Sequence, residues 1–203
     1  DTSLGTSVSG TLLGGEGNDV LISGLGNDTL DGGPGFDTAS YIQADDRVRV
    51  SLGSVLSQNT IGAGLDQLLG MEGLIGSDFN DNLFGNDEVN SLSGGSGNDY
   101  LNGGLGADLL DGDDGNDSIV IDNFDTSVIG GTGLDRVTVN SATSTAGVVL
   151  NLTAGEIETV YAATSTFNNV FDATGATWKV NITGGSGNDT IKGGDGNDSL
   201  NGG

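Results

Sequence analysis

Apolar side chains recur at a fixed interval over much of this chain. In Gly94-Gly-Ser-Gly-Asn-Asp-Tyr-Leu-Asn102 the apolar Leu101 stands eighth, and the same place holds Leu83, Leu92, Leu110, Ile119, Val128 and Val137 in the neighbouring stretches. Nonapeptides starting at Gly76, Gly85, Gly94, Gly103, Gly112, Ile121 and Gly130 follow one another without a slip. An amphipathic helix needs apolar residues three and four apart, and this pattern does not supply them. The residues around each apolar site predict a short strand whose central side chain points away from its neighbours' side. The Gly-rich residues before it predict a tight turn, because Gly accepts positive φ at little steric cost.

Two successive nonapeptides make one coil, with turns alternating between two sides. Coils stacked as parallel strands about 4.8 Å apart form an all-β solenoid, right-handed as parallel crossovers are, with a thin core from position 8 of each repeat. An earlier block reads Gly14–Ile22, Ser23–Asp31 and Gly32–Ser40, and a later one Gly184–Lys192 and Gly193–Asn201. Gly202-Gly203 opens a further copy, so the pattern predicts a longer parent chain, while Asp1-Thr-Ser-Leu lacks the basic and apolar regions of a signal peptide. The division expected is a first repeat block at 1–42, spacer strands at 43–75, a second block at 76–138, a degenerate solenoid spacer at 139–183 and a third block at 184–203. In the spacers, Arg47–Leu52, Gly147–Leu152, Ile157–Tyr161 and Trp178–Ile182 read as strands, and Leu65–Ile75 as a continuation of the coil. Gly76 and Gly184 stand a whole number of nonapeptides apart, twelve, which predicts one solenoid whose phase runs through the spacer. Phe167, Phe171 and Trp178 are expected to fill a wider core there; an aromatic platform for sugar is the alternative.

Composition adds the chemistry. With 24 Asp, 5 Glu and only 5 Lys+Arg the net charge is −24, and there is no Cys and no His. That removes disulfides, thiolate metal sites, thiol nucleophiles and the commonest general base. It disfavours nucleic acid and direct membrane insertion as well, and no stretch approaches the roughly 18 apolar residues of a membrane span. The excess of Asp over Glu points to a geometric role, and position 6 supplies it. Turns on one side recur at every second nonapeptide, which stacks Asp19 over Asp37, and Asp81, Asp99, Asp117 and Asp135 in a column; the opposite column is Asn90, Asp108 and Thr126. Carboxylates about 5 Å apart repel by roughly 3 kcal/mol at an effective dielectric near 20. A hard cation between them reverses the sign, and Ca²⁺ takes six to eight oxygens at about 2.3–2.6 Å, more than two Asp provide, so turn carbonyls must join. Phosphate cradling fails for want of Lys, an EF-hand for want of flanking helices and the final Glu, and a carboxylate-pair glycosidase for want of a pocket-forming pattern.

These nonapeptides resemble the RTX (repeats in toxin) family, whose consensus is G-G-x-G-x-D-x-apolar-x. The resemblance implies a calcium-binding parallel β-roll; no enzyme activity is expected, because the Asp array is accounted for as metal ligands. The resemblance also implies which carbonyls coordinate: positions 2 and 4 of the upper turn and 1 and 3 of the lower, with both Asp. One site would then use Gly15, Gly17 and Asp19 with Gly32, Pro34 and Asp37. A second would use Ser77, Phe79 and Asp81 with Gly94, Ser96 and Asp99, and a third Gly95, Gly97 and Asp99 with Gly112, Asp114 and Asp117. A fourth would use Asp113, Gly115 and Asp117 with Gly130, Thr132 and Asp135. Asn90 would join Gly103, Leu105 and Asp108 on the opposite side. Half-sites remain at Gly24, Gly26 and Asp28, where Asp46 is the expected partner, and at Gly185, Gly187 and Asp189, with Gly202 below. Asp189 is expected beneath Phe171 and Asp198 beneath Val180.

About four to eight Ca²⁺ are expected, with folding triggered by extracellular calcium. The resemblance further implies a module of a type I-secreted bacterial surface protein, S-layer or adhesin-like, packing on further repeats or on neighbouring copies in a lattice. Alternatives are the calcium-dependent folding and secretion domain of an RTX exoenzyme or toxin, and an ice- or glycan-binding roll.

Overall fold

A computed structural model describes residues 2–3, 8–125 and 127–203, and in them the chain winds as a parallel β-solenoid with 22 strands and no helix. Most strands are three residues long, such as Asn82–Phe84, Ser91–Ser93 and Tyr100–Asn102, each burying its central side chain. Leu83, Leu101, Ile119 and Val137 stack on one face, and Leu74, Leu92, Leu110 and Val128 on the other. Leu83, Leu92, Leu101, Leu110 and Ile119 are each at most 1% exposed. A nine-residue unit cannot bury its apolar face alone; stacked neighbours close one continuous core. Outward residues at positions 7 and 9 remain partly exposed, and two cations there lie over rings: Arg49 over Phe84 at 5.3 Å and Arg136 over Tyr161 at 5.1 Å.

Position 5 ties the exposed turns together. Asn80 Oδ1 accepts the Asn98 N–H, Asn98 Oδ1 the Asn116 N–H (both 2.8 Å), and Asn116 Oδ1 the Leu134 N–H at 2.9 Å. Asn98→Ala leaves one turn amide of the ladder to water. The expected cost is about 0.5–1.5 kcal/mol, read from chemical denaturation in saturating calcium.

The first spacer inserts strands on one face. Leu30 pairs with Leu68 and Ala39 with Leu74, so both steps are about twice as long in sequence as the regular coil that sets Leu83 beside Leu101. The additional chain forms Arg49–Ser51, which pairs with Asn82–Phe84, and Gln58–Ile61, antiparallel to Gly64–Leu69. Val48, Val50 and Leu52 alternate inward and explain why this segment joins the core.

The second spacer corrects the expected phase. Val137 pairs with Val160 and Val160 with Ile182, steps of 23 and 22, while Leu150–Phe171 and Phe171–Ile191 take 21 and 20. From Asn82–Phe84 to Thr190–Lys192 the chain makes eleven half-coils where the count of nines predicted twelve. Longer turns absorb the surplus, so the arithmetic agreement in sequence was coincidental. The aromatic expectation also divides. Phe171 is fully buried in the core, but Trp178 is only partly buried against it and Phe167 is half-buried in a turn. Both stand in position 4 of degenerate turns, since a Cβ on Gly187 would meet the Phe167 carbonyl and one on Gly196 the Trp178 carbonyl.

Candidate metal centre

Each Gly-rich turn folds back over its own carboxylate. Position 2 takes positive φ, 95° at Gly95 and 95° at Gly131, and so does position 4, 127° at Gly97. Position 1 has no room for a side chain. A Cβ on Gly14 would lie 3.0 Å from Asp19 Oδ2 and 2.5 Å from Gly32 O of the next coil. Gly94 faces Asp99 Oδ2 and Gly112 O in the same way, and Gly112 faces Asp117 Oδ2 and Gly130 O. The carboxylate of one turn and a carbonyl of the next coil are therefore directed at one spot.

The two oxygens of each Asp have different surroundings. Oδ1 accepts the position-6 N–H of the preceding coil: Asp19 to Asp37, Asp81 to Asp99 and Asp99 to Asp117 at 2.7 Å, Asp117 to Asp135 at 2.8 Å. On the other side the Asn90 N–H reaches Asp108 Oδ1 at 2.8 Å. Oδ2 of Asp19, Asp37, Asp99, Asp117, Asp135 and Asp189 is buried with no hydrogen-bond donor. A buried carboxylate oxygen without a partner is costly, and buried charges are found paired or bound to metal. The residues thus fit a cation. No group of three or more acidic side chains converges among the described residues, so the carboxylates come in twos and main-chain oxygens must complete the shell. Ser77, Gly95 and Asp113 carbonyls each accept one N–H, from Ser96, Asp114 and Thr132, and keep a second lone pair. Pro34 O likewise accepts the Gly17 N–H.

Burial pushes Asp99 and Asp117 up to about 7 and Asp108 up to about 6. A carboxyl whose folded pKa lies above its unfolded one contributes stability below about pH 4 and loses it as the pH rises through about 6–7. In calcium-free buffer the strand circular dichroism should accordingly be stronger at pH 5 than at pH 8. In millimolar calcium the ion takes the proton's place and that acid advantage should disappear, which paired spectra would reveal.

Several anticipated residues lie elsewhere than expected. Asp28 stacks over Asp66, whose Oδ1 accepts the Asp28 N–H at 2.8 Å, and not over Asp46. Ser23 Oγ bridges Asp28 Oδ2 and Asp66 Oδ2 at 3.1 and 3.2 Å, the Gly24 N–H also donates to Asp28 Oδ2 and the Gly10 N–H to its Oδ1, so both oxygens of Asp28 have donors. Asp81 is satisfied by Val48 N–H and by the main chain and hydroxyl of Ser77. Asp189 lies beneath Asn169, whose N–H donates to it at 2.8 Å, because the coil above is two residues longer than a regular one; Phe171 sits over Ile191. Asp198 accepts the Val180 N–H at 3.1 Å. The Gly184 and Gly202 main chains bracket Asp189 Oδ2 as in the regular coils. Thr126 lies outside the described residues, and Asp125 accepts the Asp108 N–H in its register instead, at 3.3 Å.

Four acids outside the regular position 6 join the columns without being singled out in sequence: Asp66, Asp125, Glu72 and Glu158. Asp66 belongs to Ile61-Gly-Ala-Gly-Leu-Asp-Gln-Leu-Leu69, which keeps Gly at 2 and 4, Asp at 6 and Leu at 8, a signal obscured by its missing first Gly. Glu72 accepts the Asp37 N–H and Glu158 the Asp135 N–H, both at 2.8 Å. Both follow a shortened turn, Gly70-Met-Glu72 and Glu156-Ile-Glu158, whose first residue has φ of 57° and 51° and whose middle residue is buried. The longer Glu side chain spans what the missing turn residues would have covered.

The model of the RTX calcium-binding nonapeptide repeat matches four times, at residues 4–39, 75–110, 84–119 and 181–203, together just over half of the chain. No curated protein matches it. A glycine turn carrying one carboxylate per nonapeptide, stacked so that buried oxygens lack donors, is what those matches describe in three dimensions, and the chain belongs to the RTX family of calcium-binding repeat β-rolls.

Proposed function

We propose that this chain is a calcium-folded structural module whose ions lie between stacked turns, first of all between Asp19 and Asp37, Asp99 and Asp117, and Asp117 and Asp135. The stacked buried Oδ2 atoms without donors carry this reading. Each ion would add main-chain ligands from the turns named by the family pattern. The residues' own part is to place two carboxylates and several carbonyls at one coil spacing and to keep water from the Oδ2 side.

Extracellular calcium modules have dissociation constants of roughly 10⁻⁴–10⁻³ M, so about 1–2 mM Ca²⁺ contributes about 0.5–1.8 kcal/mol per site. Several sites together approach the stability of a whole domain, about 5–15 kcal/mol. Such a chain stays unfolded in a cytosol of low calcium and folds after export. This suits type I secretion and a bacterial surface protein of S-layer or adhesin type, in which roll blocks alternate with spacer coils. Among the described residues no helix is long and apolar enough to cross a membrane.

Calcium titration of the strand circular dichroism tests the reading. The midpoint is expected between about 0.1 and 1 mM. A midpoint below about 1 µM would refute export in the unfolded state, since the chain would then fold at cytosolic calcium.

A further inference from the structure

A parallel ladder joins the Gly-rich turns along one edge of the roll. It runs from Ser96 to Asp114 to Thr132 and stops there. At each step the residue in position 3 uses both of its main-chain groups. The Asp114 N–H donates to Gly95 O at 2.9 Å, and Asp114 O accepts the Gly97 N–H at 2.8 Å. Thr132 pairs in the same way with Asp113 O and the Gly115 N–H, both at 2.8 Å. The next turn of that stack is the short Glu156-Ile-Glu158, three residues where a regular turn has six. It still holds both ends of the turn above: Gly155 O accepts the Gly130 N–H at 2.6 Å, and Glu158 accepts the Asp135 N–H at 2.8 Å. The middle is left open. Gly131 O and the Gly133 N–H, which a residue in position 3 would pair, have no hydrogen-bond partner among the described residues. A groove of about 230 Å³ lies there, lined by Gly131, Thr132, Gly133, Glu156, Glu158 and Trp178.

We propose that this groove docks an extended basic peptide segment of a partner protein, one residue of which continues the ladder below Thr132.

The open pair is a main-chain acceptor and a main-chain donor on one strand-like edge, which a single residue of a parallel strand satisfies with its own N–H and C=O. A lone cation or a lone anion uses only half of it. The charge of the groove has one sign, since Glu156 and Glu158 line it and no Lys or Arg does. Glu156 is exposed and accepts no hydrogen bond among the described residues. Its φ is 51°, where the matching residue of the other short turn is Gly70 at 57°. Turn geometry therefore favours Gly at this position, and a cationic occupant accounts for the carboxylate. Trp178 lines the groove from the following coil with its Nε1 buried, and offers carbon surface to the aliphatic stem of a basic side chain. The proposal goes beyond the calcium reading and needs only the folded chain.

Nuclear magnetic resonance of the whole isotope-labelled chain in millimolar calcium tests it, with a capped Val-Lys-Val-Lys-Val peptide as probe. Saturable shifts centred on the Gly133 amide are expected. The same peptide N-methylated throughout, or with Glu in place of Lys, should leave that amide unmoved. Glu156→Gly should weaken the lysine peptide about three- to fivefold while the melting midpoint stays level or rises, a combination that a purely structural role for Glu156 does not give. Glu156→Gln, which keeps the side-chain length, should weaken it equally. A Gly133 amide that does not respond, with strand circular dichroism intact, overturns the proposal and assigns the open pair to water. Equal binding of the N-methylated peptide or of the glutamate peptide overturns it as well. Shifts of the groove with methyl glucoside and none with the peptide overturn it in favour of a sugar site.

Discussion

Chelated with excess EGTA at pH 7.5, the chain is expected to lose most of its strand circular dichroism at 25 °C and to expand toward a radius of gyration of about 48 Å, the value for an unfolded chain of this length. Millimolar calcium should restore both. The reason lies in the same residues that build the roll. The core is one side chain deep at each coil, 39 Gly lose backbone freedom on ordering, and the columns bring buried carboxylates together. Among the described residues there is one ion pair, Lys192 with Asp172, and it lies outside the columns. With about six ions bound, the formal charge of −24 falls to about −12. Small-angle scattering in EGTA that superposes on the calcium form would overturn the dependence.

Asp117→Ala should be the most damaging single substitution in the columns. Its carboxylate is shared by two successive steps, facing Asp99 above and Asp135 below, whereas Asp19 is the upper member of a single step. Removing it strips the acceptor from the buried Asp99 N–H, about 1–3 kcal/mol, and a ligand from two sites at about 0.5–1.8 kcal/mol each. A loss of about 2–7 kcal/mol in calcium is expected from denaturation, against less than about 0.5 for Asp195→Ala at an exposed turn position. Asp117→Asn separates the two contributions. Its Oδ1 still accepts from Asp99, so only the ion's share is lost in calcium. An Asp117→Asn chain as stable in calcium as the unsubstituted one would show that Asp117 acts through its hydrogen bond to Asp99 alone.

Where the nonapeptide is regular, its local rules were sufficient. Leu101 is buried and Asp99 stands over Asp117 because one nonapeptide per half-coil fixes both the inward direction and the register between coils. The spacers were only partly legible. The alternation Val48–Val50–Leu52 marked a strand, but nothing local indicated that Asp28 would find Asp66 on the far side of the inserted strands or that Glu72 and Glu158 would enter the columns. Those pairings depend on how much chain each loop stores, and loop length carries no periodic signal. Phe167 and Trp178 misled for a related reason: aromatic residues suggest core, yet a turn position tolerates a large side chain when only its carbonyl must face the next coil.

Spacing within one nonapeptide, or between alternate ones, fixes the solenoid, the column of Asp81, Asp99, Asp117 and Asp135, the hard-cation chemistry and the family. Only the tertiary structure decided which spacer acids complete the columns, how many half-coils the degenerate stretch makes, and which carboxylate oxygens are left without donors. Those outcomes depend on contacts between coils of unequal length, where the identity of the partner is set by stacking and not by distance along the chain.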